Sequence, residues 1–259
     1  MDKMTIAKAD FIAGLAKGLA VLEAFDTERQ RLNATLAAQR TGITRAAARR
    51  HLLTLADLGY LETDGSHYWL SPRVLRLAGS YMATSRLPRT LQPTLNRLAQ
   101  QTQAAFSAVV LGGNECVIVA RSAGAAEPVR HLAHGLHLGA RLPVHATSTG
   151  RVLLASWPKA ELAAWLKGRE LPRITPFTEV GLTRFKSLIE KVRKDDFCLA
   201  RDGHELGIHA LAVPLRNMQG HTLAALNVVG TGEQLTDAAV QHKWLPLLLE
   251  AARQLRPLL

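Results

Sequence analysis

Four arginines, Arg40, Arg45, Arg49 and Arg50, fall between residues 40 and 51 with no acid among them. Guanidinium forks bind phosphate oxygens and pair bidentately with guanine, so such a cluster suits a nucleic-acid duplex. A solvated helix face has the same composition without a partner. His131, His134 and His137 are spaced by three, which on a helix would gather two metal ligands. Glycines in that segment make it extended or looped, so these imidazoles do not share a face and no metal is expected. Cys116 and Cys198 are too few for a disulfide framework and carry no sign of activation; they read as buried thiols in a reducing cytosol. G-x-S-x-G, a P-loop and G-x-G-x-x-G are all missing, so nothing points to an enzyme or to a cofactor.

Positioning those arginines takes a framework, and residues 11–70 supply one. Apolar residues at Leu15, Leu19, Val21 and Leu22 have helical spacing between Phe11 and Phe25. Asn33 offers a cap for a short helix over 34–40, Gly42 ends it, and Thr44 caps the next. Over 44–58 Ala48, Leu52, Leu55 and Gly59 form one stripe. Ala46 and Arg50 then lie nearly opposite the stripe, Arg49 on its flank and Arg45 in the first turn. Asp64-Gly65 between two β-prone runs predicts a hairpin. Helix, helix, tight turn, helix and hairpin describe a winged helix-turn-helix. Short alanines at 46 and 47 allow the backbone close to a groove. The wing residues Ser66 and His67 are placed to touch DNA backbone or minor groove. A small helical domain with an incidental hairpin has less need of the arginines.

A helix is expected from Pro72, too apolar for a flexible linker, with Pro88 interrupting it and a boundary near 83–89. Leu91, Leu95 and Leu98 form another helical stripe. Strands are expected over 105–111, 115–120, 197–200, 210–215 and 222–229. Helices are expected from near Gly150, over 183–194 and over 236–255. Hairpins mixed with helices indicate an α+β sheet domain and not a βαβ series.

Size and charge agree with this division. At roughly 100–200 residues per domain, 259 residues make two. An apolar share of 47% with 20% charged residues is that of a folded chain, which excludes wholesale disorder. No run approaches the ~20 apolar residues of a membrane span. The charged opening MDKMTIAKAD does not resemble a secretion signal, so the expected location is cytoplasmic. The net charge of +11 is uneven: residues 1–80 hold 11 basic and 8 acidic side chains, net +3, leaving +8 for the remainder. The first part is therefore locally basic, not broadly so.

Ile43-Thr44-Arg45 through Leu52 to Leu61 resembles the recognition helix and exit of IclR-type bacterial transcription regulators. Leu142 to Arg151 is similar to that family's P-x-H-x-x-x-x-G-[KR] stretch, and Glu205 to Ile208 with Ala212 to Leu215 and Ala224 to Val228 to its final hairpin. The opening FIAGLAKGLAVLEAF and HATSTGR look most like the subgroup controlling aromatic-acid catabolism. Alanines at 46 and 47 and Arg49 depart from the family's usual residues, so base recognition does not transfer.

The resemblance implies a winged helix-turn-helix (11–71), a linker helix used in dimerisation (72–89) and a GAF-like effector-binding domain (90–259). It implies a homodimer or tetramer on promoter DNA, with RNA polymerase as a possible partner and no membrane. The expected DNA contacts are Thr44, Arg45, Ala46, Arg49, Arg50 and His67. Carried over, the family's pocket points to Ser148, Thr149, Ala200, Ile208, Ala210, Asn227 and Val229. Ser148 and Thr149 before Gly150 at a helix start suit a carboxylate, although capping by Thr147 or Thr149 explains the same pattern. Alanines at 200 and 210, where oxoacid-binding members use an acid and a thiol, widen the pocket for an aromatic acid. Arg201, His204 and His209 are the nearby groups expected to meet a carboxylate or phenol. The effector class is thus 4-hydroxybenzoate, protocatechuate, β-ketoadipate or muconate. The alternatives are a short oxoacid, or an adaptor whose winged helix contacts protein.

Overall fold

The computed structural model describes residues 6–27, 29–122 and 137–259. His131 and His134 lie outside them. The chain divides into two compact units, Met1–Thr84 and Ser85–Leu259.

In the first unit, α1 (Ala13–Glu23), α2 (Ala34–Thr41) and α3 (Arg45–Asp57) precede a hairpin of β1 (Leu61–Thr63) and β2 (Tyr68–Leu70). Asn33 Oδ1 accepts the Thr35 and Leu36 N–H groups at 3.1 and 3.0 Å, capping α2. Gly42, at φ +70°, ends α2 in the left-handed region that favours glycine. Two residues later Thr44 Oγ1 accepts the Ala47 N–H at 3.3 Å and starts α3. The tight turn is therefore one stop signal followed at once by one start signal. Val21, Leu32, Ala37, Ala48 and Leu52 are fully buried in this unit's core, with Phe25, Leu55, Leu61 and Tyr68 beside them. Paired bonds between Leu32 and Tyr68 dock the hairpin on the segment before α2. Leu15 and Leu19 depart from the expected stripe: both stay exposed, as do Leu75, Leu77 and Tyr81 on α4 (Leu75–Thr84).

The break expected at Pro88 falls at Ser85. Pro88 is the third residue of α5 (Arg86–Thr102), where a missing N–H forfeits no intrahelical bond. In this second unit six antiparallel strands follow the order β5-β4-β3-β8-β7-β6. They are β3 (Ala105–Gly112), β4 (Glu115–Arg121), β5 (Arg141–Pro143), β6 (Cys198–Arg201), β7 (Ile208–Arg216) and β8 (Thr222–Thr231). Alternation sends Phe106, Ala108, Leu226 and Val228 to one face, packed on α5 and the C-terminal helix α9 (Leu245–Leu255). A π turn, Val240–Trp244, leads into α9. The other face carries Val109, Ala212 and Ala225 against α6 (Ser148–Ala155), α7 (Lys159–Leu166) and α8 (Leu182–Asp195). Those helices leave one end of that face uncovered by helix, and the site lies there.

Candidate functional site

On α3, Ala48, Leu52 and Leu55 are buried, whereas Arg45, Ala46, Arg49 and Arg50 are exposed, with Thr44 at the cap. Among the described residues the three arginines make no ion pair. Arg40 differs: Asp26 binds its guanidinium, so it no longer counts as a free cation of the cluster. Spacing along the sequence did not reveal that acid, which reaches α2 from the loop after α1. The wing is rigidly tied. Asp64 Oδ1 accepts the Ser66 and His67 N–H groups at 3.0 and 2.8 Å and the Ser66 hydroxyl at 2.9 Å. These bonds lower its carboxyl pKa to about 2. Arg31 pairs with Asp64 at 3.3 Å and lies 4.2 Å over the Trp69 ring. His67, half-buried, shares a 3.0 Å contact with Ser66 Oγ on this wing.

In the second unit, the uncovered end of the sheet face forms a cavity with about 590 Å³ of space between atoms. Its floor is sheet: Ser107 and Val109 from β3, Ile118 from β4, Asn227 and Val229 from β8, Ala210 and Ile208 from β7 and Ala200 from β6. Cross-strand register places Ser107 opposite Asn227, and Ala200, Ala210 and Val229 in one row. Its wall is the loop entering α6, with Ala146, Thr147, Ser148 and Thr149. Thr147 is the helix cap: its hydroxyl accepts the Gly150 N–H at 3.2 Å and donates to Pro143 O at 3.1 Å. That leaves Ser148 and Thr149 in the first turn, where backbone N–H groups have no intrahelical acceptor. Gly150 is required, since a Cβ there would overlap the Val144 backbone.

The remaining wall, residues 203–208, is held from behind. Thr178 Oγ1 donates to Gly203 O at 2.8 Å, and Thr175 Oγ1 to Asp202 O at 2.6 Å. His145, beside the entering loop, meets Pro172 O at 2.9 Å. Three buried polar atoms of the lining residues have no partner: Ser148 Oγ, His204 Nδ1 and Asn227 Oδ1. Buried polar groups are normally satisfied, so an apolar chamber with three unmet ones is arranged for a polar ligand. Burial, then the nearby His145, pushes the His204 pKa below the ordinary histidine value.

Residues 14–65 match the family described as IclR helix-turn-helix domain, and residues 79–256 the family described as bacterial transcriptional regulator IclR C-terminal. The chain belongs to the IclR family. It is 45% identical over 258 residues to the Pca operon regulatory protein of Acinetobacter baylyi, covering 100% of this chain and 93% of that one. It is 47% identical over 254 residues to the same organism's p-hydroxybenzoate hydroxylase transcriptional activator, covering 98% and 94%. The second unit is similar to the inducer-binding domain of Acinetobacter PobR, a double mutant solved with 3-hydroxybenzoic acid. That likeness has a TM-score of 0.62 and 41% identity over 66% of this chain and 98% of that one. This IclR chain is accordingly a transcription regulator with an N-terminal helix-turn-helix domain and a C-terminal α+β effector domain. Among its described residues no helix is long and apolar enough to cross a membrane.

The IclR cavity gathers Ser148, Thr149, Ala200, His204, Ile208, Ala210, Asn227 and Val229. Two expected residues fall elsewhere. Arg201 follows Ala200 in a strand, so it projects to the opposite face, exposed and paired with Asp237. His209 alternates out between Ile208 and Ala210, its Nε2 3.4 Å from Asp202. Period-two alternation already separated each pair in the sequence. Sequence reasoning missed Ser107 and Gly203. Ser107, the one polar side chain within AFSAVVL, was a readable signal; nothing local marked Gly203. His137 is exposed, and Cys116 is buried, its thiol pushed up to about 12 by burial.

Proposed function

We propose that this IclR-family regulator binds promoter DNA through α3 and the wing, and that a hydroxylated aromatic acid in the cavity controls it. Thr44, Arg45, Ala46, Arg49, Arg50 and His67 face the duplex. In the cavity the carboxylate meets the first turn of α6 and Ser148, and a ring hydroxyl donates to Asn227 Oδ1. The observation that carries this reading is the set of buried, unpartnered polar atoms around an otherwise apolar chamber. Small Ala200 and Ala210 leave room for a ring, which favours the aromatic acid over a short oxoacid. Two relatives named for pca and p-hydroxybenzoate regulation, and a similar domain crystallised with 3-hydroxybenzoic acid, support the same class. The exposed apolar side chains of α1 and α4 support a homo-oligomer. On this reading the protein acts in the cytoplasm alongside RNA polymerase and performs no catalysis.

The test is a thermal-shift screen with 4-hydroxybenzoate, 3-hydroxybenzoate, protocatechuate, β-ketoadipate, muconate and glyoxylate, followed by calorimetry. A ligand that binds only the folded state raises its melting temperature by mass action. An aromatic hydroxy acid is expected to give the largest shift, abolished by Ser148→Trp without loss of promoter binding. A shift with glyoxylate alone would replace the aromatic acid by the short oxoacid.

A further inference from the structure

The cavity proposed to take an organic anion is lined by no lysine or arginine among the described residues; the one formally charged lining residue is Glu205, an acid. Taking a carboxylate out of water into such a chamber costs several kcal/mol unless a positive charge or several donors compensate it. A cation stands immediately behind the wall. Arg151, in the first turn of α6, is 6% exposed, and among the described residues it makes no ion pair. Its Nε donates to His145 O at 2.8 Å, and its charge acts on the Cys198 thiol on β6, whose pKa burial raises. Gly203, which lines the cavity, packs against the same loop: a Cβ there would stand 2.8 Å from Ala146 O, and in ordinary contact, 3.7 Å, with Arg151 Nη2. Gly203 thus borders both the ligand space and Arg151, whose side chain also lines a separate cleft with Asp195 and Asp237, neither within ion-pair distance of it.

We propose that Arg151 is the counter-charge for the bound effector, a positioning residue that acts through the 145–149 loop instead of touching the ligand. The proposal rests on the reading that the cavity takes an organic anion. A buried cation without a carboxylate partner is strongly unfavourable, and a ligand carboxylate nearby relieves it. The hydrogen bond from Arg151 to the loop carbonyl leaves its charge unneutralised. The carbonyl bond fixes the wall, and the free charge biases the site toward anions. The field already reaches the loop: Arg151 contributes to holding the His145 pKa below its ordinary value, after burial.

The test compares 4-hydroxybenzoate with its neutral amide, by calorimetry on the full-length protein. Arg151→Gln is expected to weaken the acid by roughly tenfold or more, the scale of a nearby opposite charge, and to leave the amide unchanged. Arg151→Lys is expected to restore most of the acid's affinity. Should Arg151→Gln fail to fold, Cys198→Asp places a carboxylate against the guanidinium, and the same selective loss is expected. Equal losses for acid and amide, or no loss for either, would overturn the counter-charge and leave Arg151 as a structural brace. If wild type binds neither compound, the aromatic-acid reading fails, and the comparison is repeated with muconate and its diamide, where the same selective loss of the acid in Arg151→Gln is expected.

Discussion

Asn227 and Ser148 each hold a buried oxygen with no partner among the described protein groups, and an unmet buried polar atom costs about 1–3 kcal/mol. Removing such an atom should therefore not harm the fold. Asn227→Leu is expected to leave the ligand-free melting temperature unchanged or raised, while making 4-hydroxybenzoate and plain benzoate bind alike. Thermal unfolding and calorimetry check both halves, and a lowered ligand-free melting temperature would argue against an orphaned acceptor. The two histidines carry a second expectation. His145 and His204 both have pKa values depressed in the folded state, chiefly by burial. Below the unfolded histidine value near ~6.5, the unfolded chain takes up protons that the folded one refuses. Stability of the second unit should thus be full above about pH 6.5 and fall as the pH drops below it. His204→Asn should flatten that slope in urea titrations at stepped pH.

Elements decide which side chains of a motif are available. The α2–α3 turn was legible because Asn33, Gly42 and Thr44 are strong start and stop signals at the spacing a tight turn needs. The wing was legible from Asp64-Gly65 for the same local reason. Arg40 was not, because its partner Asp26 arrives through the packing of α1 against α2, which no local pattern records. Arg201 and His209 were placed near the cavity although strand alternation turns them away from it, so the nominated set was wider than the geometry allows. The surviving arginines give a graded expectation for α3. Arg50→Ala or Arg45→Ala should lower the salt dependence of promoter binding by about one unit if the lost contact is to phosphate. Loss of a bidentate base contact should cost ~1–3 kcal/mol and relax the sequence preference. Affinity unchanged in both variants, measured by fluorescence anisotropy at several salt concentrations, would remove α3 from the interface.

Across the whole molecule, each unit has a core of its own, the first around Leu52 and Leu32, the second on both faces of the six-stranded sheet. Leu52 is fully buried, so Leu52→Ala should destabilise the first unit by about 2–5 kcal/mol while leaving effector binding intact. Loss of promoter binding with preserved calorimetric binding of the effector is the expected pair of results. Charge follows the same partition: residues 1–80 carry +3, with Arg45, Arg49 and Arg50 exposed on one helix, and the +8 beyond them is spread over the effector unit. In that unit the cation proposed to bear on the ligand, Arg151, is buried, so the surface total is a poor guide to it.

The row Ala200, Ala210 and Val229 crosses three neighbouring strands in register and paves one strip of the cavity floor. Its side chains can be enlarged or shrunk by single methyl groups without altering a backbone hydrogen bond, whereas Gly150 in the facing wall, against the Val144 backbone, admits no Cβ. A sensor of altered ligand preference is therefore best sought by recoding these three codons together, with the glycine-bearing loop left untouched.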